Sequence, residues 1–166
     1  MRGRHAMTSI TLVVLLGLLL AGAYLGWRSL SAPLAGGEES EPRCREGVER
    51  GDRLVTEDVT VSVYNAGNRA GLAGRTQEEL VSRGFIAGDL GNAPEGLGEV
   101  RVVRVLAANR QDPAALLVAA QFGKNTFVQV SDDTLGSGVD VVVGDDYVGL
   151  VKAPSRITAR AAGSGC

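Results

Sequence analysis

Apolar and polar positions divide this chain into two unlike parts. Ile10 to Trp27 is an 18-residue run, ITLVVLLGLLLAGAYLGW, that is almost wholly apolar, and no charge falls between Arg4 and Arg28. About 20 helical residues cross the hydrocarbon core of a bilayer, so the run predicts one transmembrane helix over 10–27. Arg2 and Arg4 precede it, and Glu38, Glu39 and Glu41 follow it. The positive-inside rule then puts residues 1–9 in the cytoplasm, as a short tail, and the chain after the anchor outside the plasma membrane. A cleaved signal peptide also opens with basic residues and an apolar core. Here the core is long, and no clean cleavage site of small residues follows it. Gly22 and Gly26 form a G-x-x-x-G spacing that would let two anchors approach closely.

Residues 28–43 are rich in Ser, Ala, Pro, Gly and Glu, show no apolar period, and predict a flexible linker. An extracytoplasmic domain is expected over 44–166, with an irregular, charged lead-in at 50–58. Val59, Val61 and Val63 alternate with Thr60, Ser62 and Tyr64, the pattern of a strand with one buried face. Asn65-Ala66-Gly67-Asn68 turns the chain. Leu72, Ala73, Leu80 and Val81 form one helical stripe within 69–83, and Gly84 follows as the left-handed residue against which Phe85 folds back. Strands are predicted at 85–90 and 100–105, separated by a Gly/Pro-rich connection. Asp112-Pro113 reads as the N-cap and first residue of a helix over 113–122 that stops at Gly123. A short strand follows at 127–130. The β-branched run at 139–143 predicts a central strand.

The order β-α-β-β-α-β-β predicts an α/β fold. It is a two-layer sandwich of a four- to five-stranded mixed sheet with two helices on one face, preceded by the single transmembrane helix.

Composition narrows the chemistry. The chain carries 17 Lys and Arg against 19 Asp and Glu, with one Trp, three Tyr and three Phe. It lacks both the basic face and the stacking aromatics that nucleic-acid binding requires, so no nucleic-acid partner is expected. The only histidine is His5, ahead of the anchor, which removes Ser-His-Asp and Cys-His catalysis and His-ligated zinc from the domain. No catalytic constellation, metal site or cofactor motif stands out, and the chain reads as a non-enzyme.

Three features remain. The strand–turn–helix at NAGNRAGLAG (65–74) resembles a phosphate loop only superficially, because its glycines fall at 67, 71 and 74. Free N–H groups there, with Arg69, could hold an anion. The simpler reading gives Gly67 and Asn68 turn conformations and lets Gly71 and Gly74 bring the helix close to the sheet. The pairs Asp132-Asp133 and Asp145-Asp146 offer carboxylates for a cation or for acid–base work, but read more simply as solvated turns. Cys44 and Cys166 stand at the two ends of the domain and suggest a single staple in an oxidising compartment, with an intermolecular or free thiol as the alternative. The C-terminal arm is poor in large apolar residues, and AAGSGC would fray without such a tie.

The segments VTVSVYNAGNRAGLAGRTQEELVSRGF (59–85) and DVVVGDDY (140–147) resemble the LytR C-terminal domain family. Asn65, Gly71, Leu72, Ala73, Leu80, Gly84, Phe85, Gly144, Asp146 and Tyr147 fill the motif positions, and Ala66 departs from the usual Asn-Gly. The resemblance implies an envelope setting. The family domain is often joined to phosphotransferases that attach glycopolymers to peptidoglycan, and about 30 residues between anchor and domain cannot hold that catalytic part. A single anchor, a lone domain and terminal cysteines resemble actinobacterial envelope-integrity proteins. The implied role is a binding or scaffold protein whose partner is an envelope polymer or an anchored envelope protein, with oligomeric state open. The alternative is an enzyme or a regulatory partner in glycopolymer attachment, an enzyme using Asp145, Asp146 and Arg69. For a ligand, the turns at 67–72 and 144–147 are the expected site: Asn65 and Arg69 as donors, Asp146 as a carboxylate, Tyr147 as an aromatic face for a sugar.

Overall fold

The structure, a computed structural model, describes residues 15–20, 24, 44–124 and 126–166. Contacts divide the chain between Glu41 and Pro42 into two units. The expected tail, most of the anchor and the linker lie outside the described residues. Leu15 to Leu20 is helical, and among the described residues no helix is long and apolar enough to cross a membrane.

In the second unit the strands are β1 (Arg53–Val55), β2 (Thr60–Asn65), β3 (Ile86–Asn92), β4 (Val103–Ala107), β5 (Phe127–Val130), β6 (Val139–Val143) and β7 (Arg156–Thr158). The helices are α1 (Leu72–Val81), between β2 and β3, and α2 (Pro113–Phe122), between β4 and β5. Five strands form one mixed sheet in the order β3-β2-β6-β4-β5. β2 is parallel to β3 and to β6, β4 is parallel to β5, and β4 runs antiparallel to β6. The expected sandwich is therefore present. The units β2–α1–β3 and β4–α2–β5 are each a parallel pair closed by one helix, and the two units point in opposite directions and extend to opposite edges. Right-handed crossovers then put both helices on the same face.

That face holds the main core. Val61 and Val63 of β2, Val105 of β4, and Val141 and Val143 of β6 pack beneath Leu72 and Leu80 of α1 and Leu117 and Val118 of α2. The other face carries a smaller cluster of Tyr64, Val100, Leu106 and Val142, covered by Ala93, Leu97 and Leu135. β6 lies in the middle of the sheet, and all five of its residues are buried, as its β-branched sequence predicts. In α2, the Asp112 side chain accepts the Ala115 N–H at 2.9 Å with Pro113 at the first position, and the helix ends at Gly123.

The flanks depart from expectation. The lead-in at 50–58 is ordered: it holds β1 and a 3-10 turn at Thr56–Asp58, with Leu54 and Thr56 buried. β1 pairs antiparallel with β7, Arg53 opposite Thr158 and Val55 opposite Arg156. Val48 bridges Gly163, and the Gly165 N–H donates to Arg45 O at 2.8 Å. The two arms zip together and give the C-terminal arm the anchors its sequence lacks. At the end of this ladder Cys44 and Cys166 form a disulfide with a Cα–Cα distance of 5.1 Å.

Candidate functional site

β2 and β6 are adjacent and parallel, with Asn65 level with Val143. The turns that follow them, 66–71 and 144–147, therefore leave the same edge of the sheet. β4 is antiparallel and begins at Val103, also level with Val143, so segment 99–102 enters at that edge too. Residues 66–68, 99–101 and 145–146 line a cleft of about 290 Å³ between them. Loops beyond the carboxyl ends of parallel strands are where open α/β sheets place ligands.

Asp145 ties the two turns. Its carboxylate accepts the Asn68 N–H at 2.8 Å through one oxygen and 3.0 Å through the other, and the Arg69 N–H at 3.1 Å. The anion that this nest of N–H groups could hold is thus supplied by the chain itself. Hydrogen bonds from the Asn68 N–H, ahead of those from Arg69, hold the Asp145 carboxyl below the usual carboxylate range. Arg69 reaches back across the same junction: Nη1 donates to Asp145 O at 3.1 Å and to Tyr147 O at 2.8 Å. Asn65 closes the first turn from inside. Its Oδ1 accepts the Gly67 N–H at 2.9 Å, and its Nδ2 donates to Arg69 O at 3.0 Å.

The glycines here exchange their expected roles. Gly67 and Asn68 have no positive φ. Gly67 is needed because a Cβ there would overlap the Asp145 carboxylate. Gly71 supplies the left-handed residue, φ 71°, that starts α1, which is why the helix begins at Leu72 and not near Arg69. Neither Gly71 nor Gly74 allows a close approach to the sheet, since a Cβ on either would meet open space. Gly144 does: a Cβ there would strike the Val100 and Arg101 carbonyls.

Of the four residues predicted to meet a ligand, Asp146 lines the cleft. Its carboxylate pairs with Arg101 Nη2 at 3.0 Å, and both side chains face solvent, 52% and 73% exposed. Asn65 and Arg69 hold the turns by the bonds just given. Tyr147 closes the core at 5% exposure, edge-on to Phe122 with ring centroids 5.7 Å apart. Its hydroxyl donates to Glu79 Oε2 at 2.7 Å. Burial first, then Glu79, raises its pKa well above the ordinary tyrosine value. For the catalytic alternative, Asp145 and Arg69 are both engaged in binding backbone.

Glu99 and Arg101 are cleft residues that the sequence did not single out. They sit in EVRVVRV, where charge alternating with valine reads as a strand, and the strand starts only at Val103. A second omission is Asp140, buried as the second residue of β6. It accepts the Leu135 N–H at 2.7 Å and the Gly136 N–H at 3.1 Å and so fixes the loop before its own strand. Burial raises its pKa, against the opposing effect of those two N–H groups. Asp132 and Asp133 lie exposed in that loop. Among the described residues, no three His, Cys, Asp or Glu side chains are gathered to hold a metal ion.

The sequence profile of LytR_C, described as LytR cell envelope-related transcriptional attenuator, matches residues 58–147, just over half of the chain. No curated protein matches. Among solved structures, the chain is similar to the soluble domain of a conserved hypothetical secreted protein from Mycobacterium marinum. The identity is 19% and the TM-score 0.47, over 68% of this chain and 72% of that one.

Proposed function

This chain belongs to the LytR_C family, and from that premise we propose that it is a membrane-anchored extracytoplasmic binding or scaffold protein that contributes to cell-envelope integrity. The cleft at the strand ends carries the reading. Its walls are fixed by Asp145 on the Asn68 and Arg69 N–H groups and by the Gly144 and Asp146 N–H groups on segment 101–102, and its accessible polar groups include the Arg101–Asp146 pair, with Glu99 3.9 Å from Arg101. A solvated donor beside a solvated acceptor suits a polymer rich in hydroxyl and amide groups, which would exchange those partners one for one. We read the role as binding rather than catalysis, because Asp145 and Arg69, two of the three residues of the catalytic alternative, serve as struts. The Cys44–Cys166 disulfide supports an oxidising, extracytoplasmic compartment. The apolar run at 10–27 supports the anchor and its direction.

The test is capture of isolated envelope polymer by the full chain in detergent, with an Arg101→Ala, Asp146→Ala variant beside it. Losing two charge-assisted contacts should weaken capture by about tenfold or more. Capture that the double variant leaves unchanged would remove the cleft from the function. Crosslinking from position 101 in intact cells separates polymer from protein: a protein adduct would identify an anchored partner. A reporter fused after Cys166 should be active only outside the membrane, and activity in the cytoplasm would overturn the topology.

A further inference from the structure

A cavity of about 520 Å³ lies where the end of α1, the last turn of α2, the 3-10 turn and segment 152–155 meet. Thr56, Arg83, Gln121, Lys152 and Ser155 supply its polar lining. The cleft at the strand ends holds Glu99, Asp145 and Asp146, whereas this cavity, among the described residues, holds two cations and no acid. Buried Gln121 builds its walls. Nε2 donates to Pro154 O at 3.0 Å and to Leu117 O at 3.2 Å, and Oε1 accepts Arg83 Nη1 at 2.8 Å. Arg83 Nη1 also donates to Val151 O at 2.6 Å. The Val151 N–H donates to Gln121 O at 2.8 Å, and the Thr56 N–H to Ser155 O at 3.0 Å. The guanidinium is thus positioned by neutral oxygens through one of its three nitrogens. Its Nε–H and Nη2–H, the side-by-side edge that meets two oxygens of an oxyanion, have no partner among the described residues. Glu57, on the 3-10 turn, accepts the Thr56 hydroxyl at 3.2 Å. Among the described residues no carboxylate forms an ion pair with Arg83 or with the exposed Lys152.

We propose that this cavity binds a phosphate ester through Arg83 and Lys152. The free edge of Arg83 takes two oxygens lying in one plane. A carboxylate has only those two, and the fork would use both. A tetrahedral phosphate keeps a further oxygen, out of that plane, for a second cation that approaches from segment 152–155, and Lys152 is that point charge. At neutral pH a phosphate monoester carries close to two negative charges, which the two cations balance. The fork is in place before any anion arrives, because Gln121 and Val151 hold it, so little ordering is spent on binding. The volume falls within the roughly 300–1,000 Å³ of small-molecule sites, and so leaves room for the organic part of the ester beside Ala153 and Pro154. This site lies apart from the cleft and does not depend on what the cleft binds.

The test is titration calorimetry of the full chain in non-ionic detergent micelles, in phosphate-free buffer, with glycerol 3-phosphate as the probe. The wild type should bind it saturably at one site, and added sodium chloride should weaken binding. Arg83→Lys keeps the charge and loses the fork, and should weaken binding about tenfold. Lys152→Ala removes an exposed charge and should weaken binding about threefold; it serves if the Arg83 variant fails to fold. Phosphatidic acid added to the micelles separates two sources of the ester. Displacement of glycerol 3-phosphate by the lipid assigns a lipid headgroup, a lack of displacement assigns a free ester, and either result upholds the site. No saturable binding of glycerol 3-phosphate would overturn the proposal, as would binding that neither variant weakens. Acetate bound as tightly as glycerol 3-phosphate would overturn the choice of phosphate.

Discussion

The Asp145 carboxylate grips the backbone N–H of Asn68, 77 residues away along the chain. Two turns that follow two different strands become one piece through that contact. Asp145→Asn should therefore destabilise the domain and loosen the 66–69 turn, seen as faster amide exchange at Asn68 and Arg69. The sign with pH follows from the depressed pKa. The stabilisation is fully present above the unfolded carboxylate value of about 4 and is lost as pH falls through the lower folded value. Urea midpoints measured from pH 7 down to pH 2 should converge for wild type and Asp145→Asn only at the acid end. Curves that stay parallel would show that this carboxylate is not linked to folding.

Glycine replacements should separate backbone need from steric need. Gly71→Ala keeps open space but must hold φ 71°, and should lose about 1–2 kcal/mol. Gly144→Ala drives a methyl into the Val100 and Arg101 carbonyls and should lose about 3 kcal/mol. Gly74→Ala, inside α1 with open space around it, should gain about 0.5–1 kcal/mol. Chemical denaturation of the three variants gives the order directly.

Tyr147 should act as a core residue with a polar handle. Tyr147→Phe removes the bond to Glu79, which is exposed and can turn to water, so about 0.5–1.5 kcal/mol should be lost. Tyr147→Ala should lose about 3–5 kcal/mol by leaving a cavity beside Phe122. With its folded pKa raised, Tyr147 contributes stability below the unfolded tyrosine value of about 10 and loses it as pH climbs beyond. The alkaline absorbance titration of folded protein should show this phenol ionising only with unfolding.

Replacing Cys44 and Cys166 together by Ala should destabilise the domain by about 2–5 kcal/mol in urea unfolding. Because β1, β7 and the Val48–Gly163 bridge order both arms beside the bond, little native-state mobility offsets that figure. Mass spectrometry of unreduced protein should show the two cysteine peptides joined within one chain.

What the sequence made legible followed local periodicity. β5, β6 and α2 fall where alternation, the valine run and the Asp112-Pro113 cap put them. β1 and β7 left no such trace, because strands of three residues are too short to alternate and each exists only through the other, about a hundred residues away. β4 starts three residues late because segment 99–102 is held by β6's turn, with the Gly144 N–H on Val102 O and the Asp146 N–H on Arg101 O. The two turns were legible as turns after strand ends, but their meeting was not, because it needs β2 and β6 to be parallel neighbours. Asn65, Arg69 and Tyr147 are polar residues whose partners are backbone and core, and sequence alone does not distinguish such a strut from a ligand. Arg101 shows the converse, a cleft residue disguised as part of a strand.

The bond between Cys44 and Cys166 turns the folded unit into a covalent ring. A protease that cuts a single peptide bond anywhere between those residues opens the ring without releasing a fragment. The cut ends stay in reach of each other, and the sheet can close again around the nick. Only a second cut, or reduction of the sulfurs, sheds a piece. A domain built this way tolerates damage in its loops, and the same property lets new termini be opened in the 93–99 connection while the old ends remain joined.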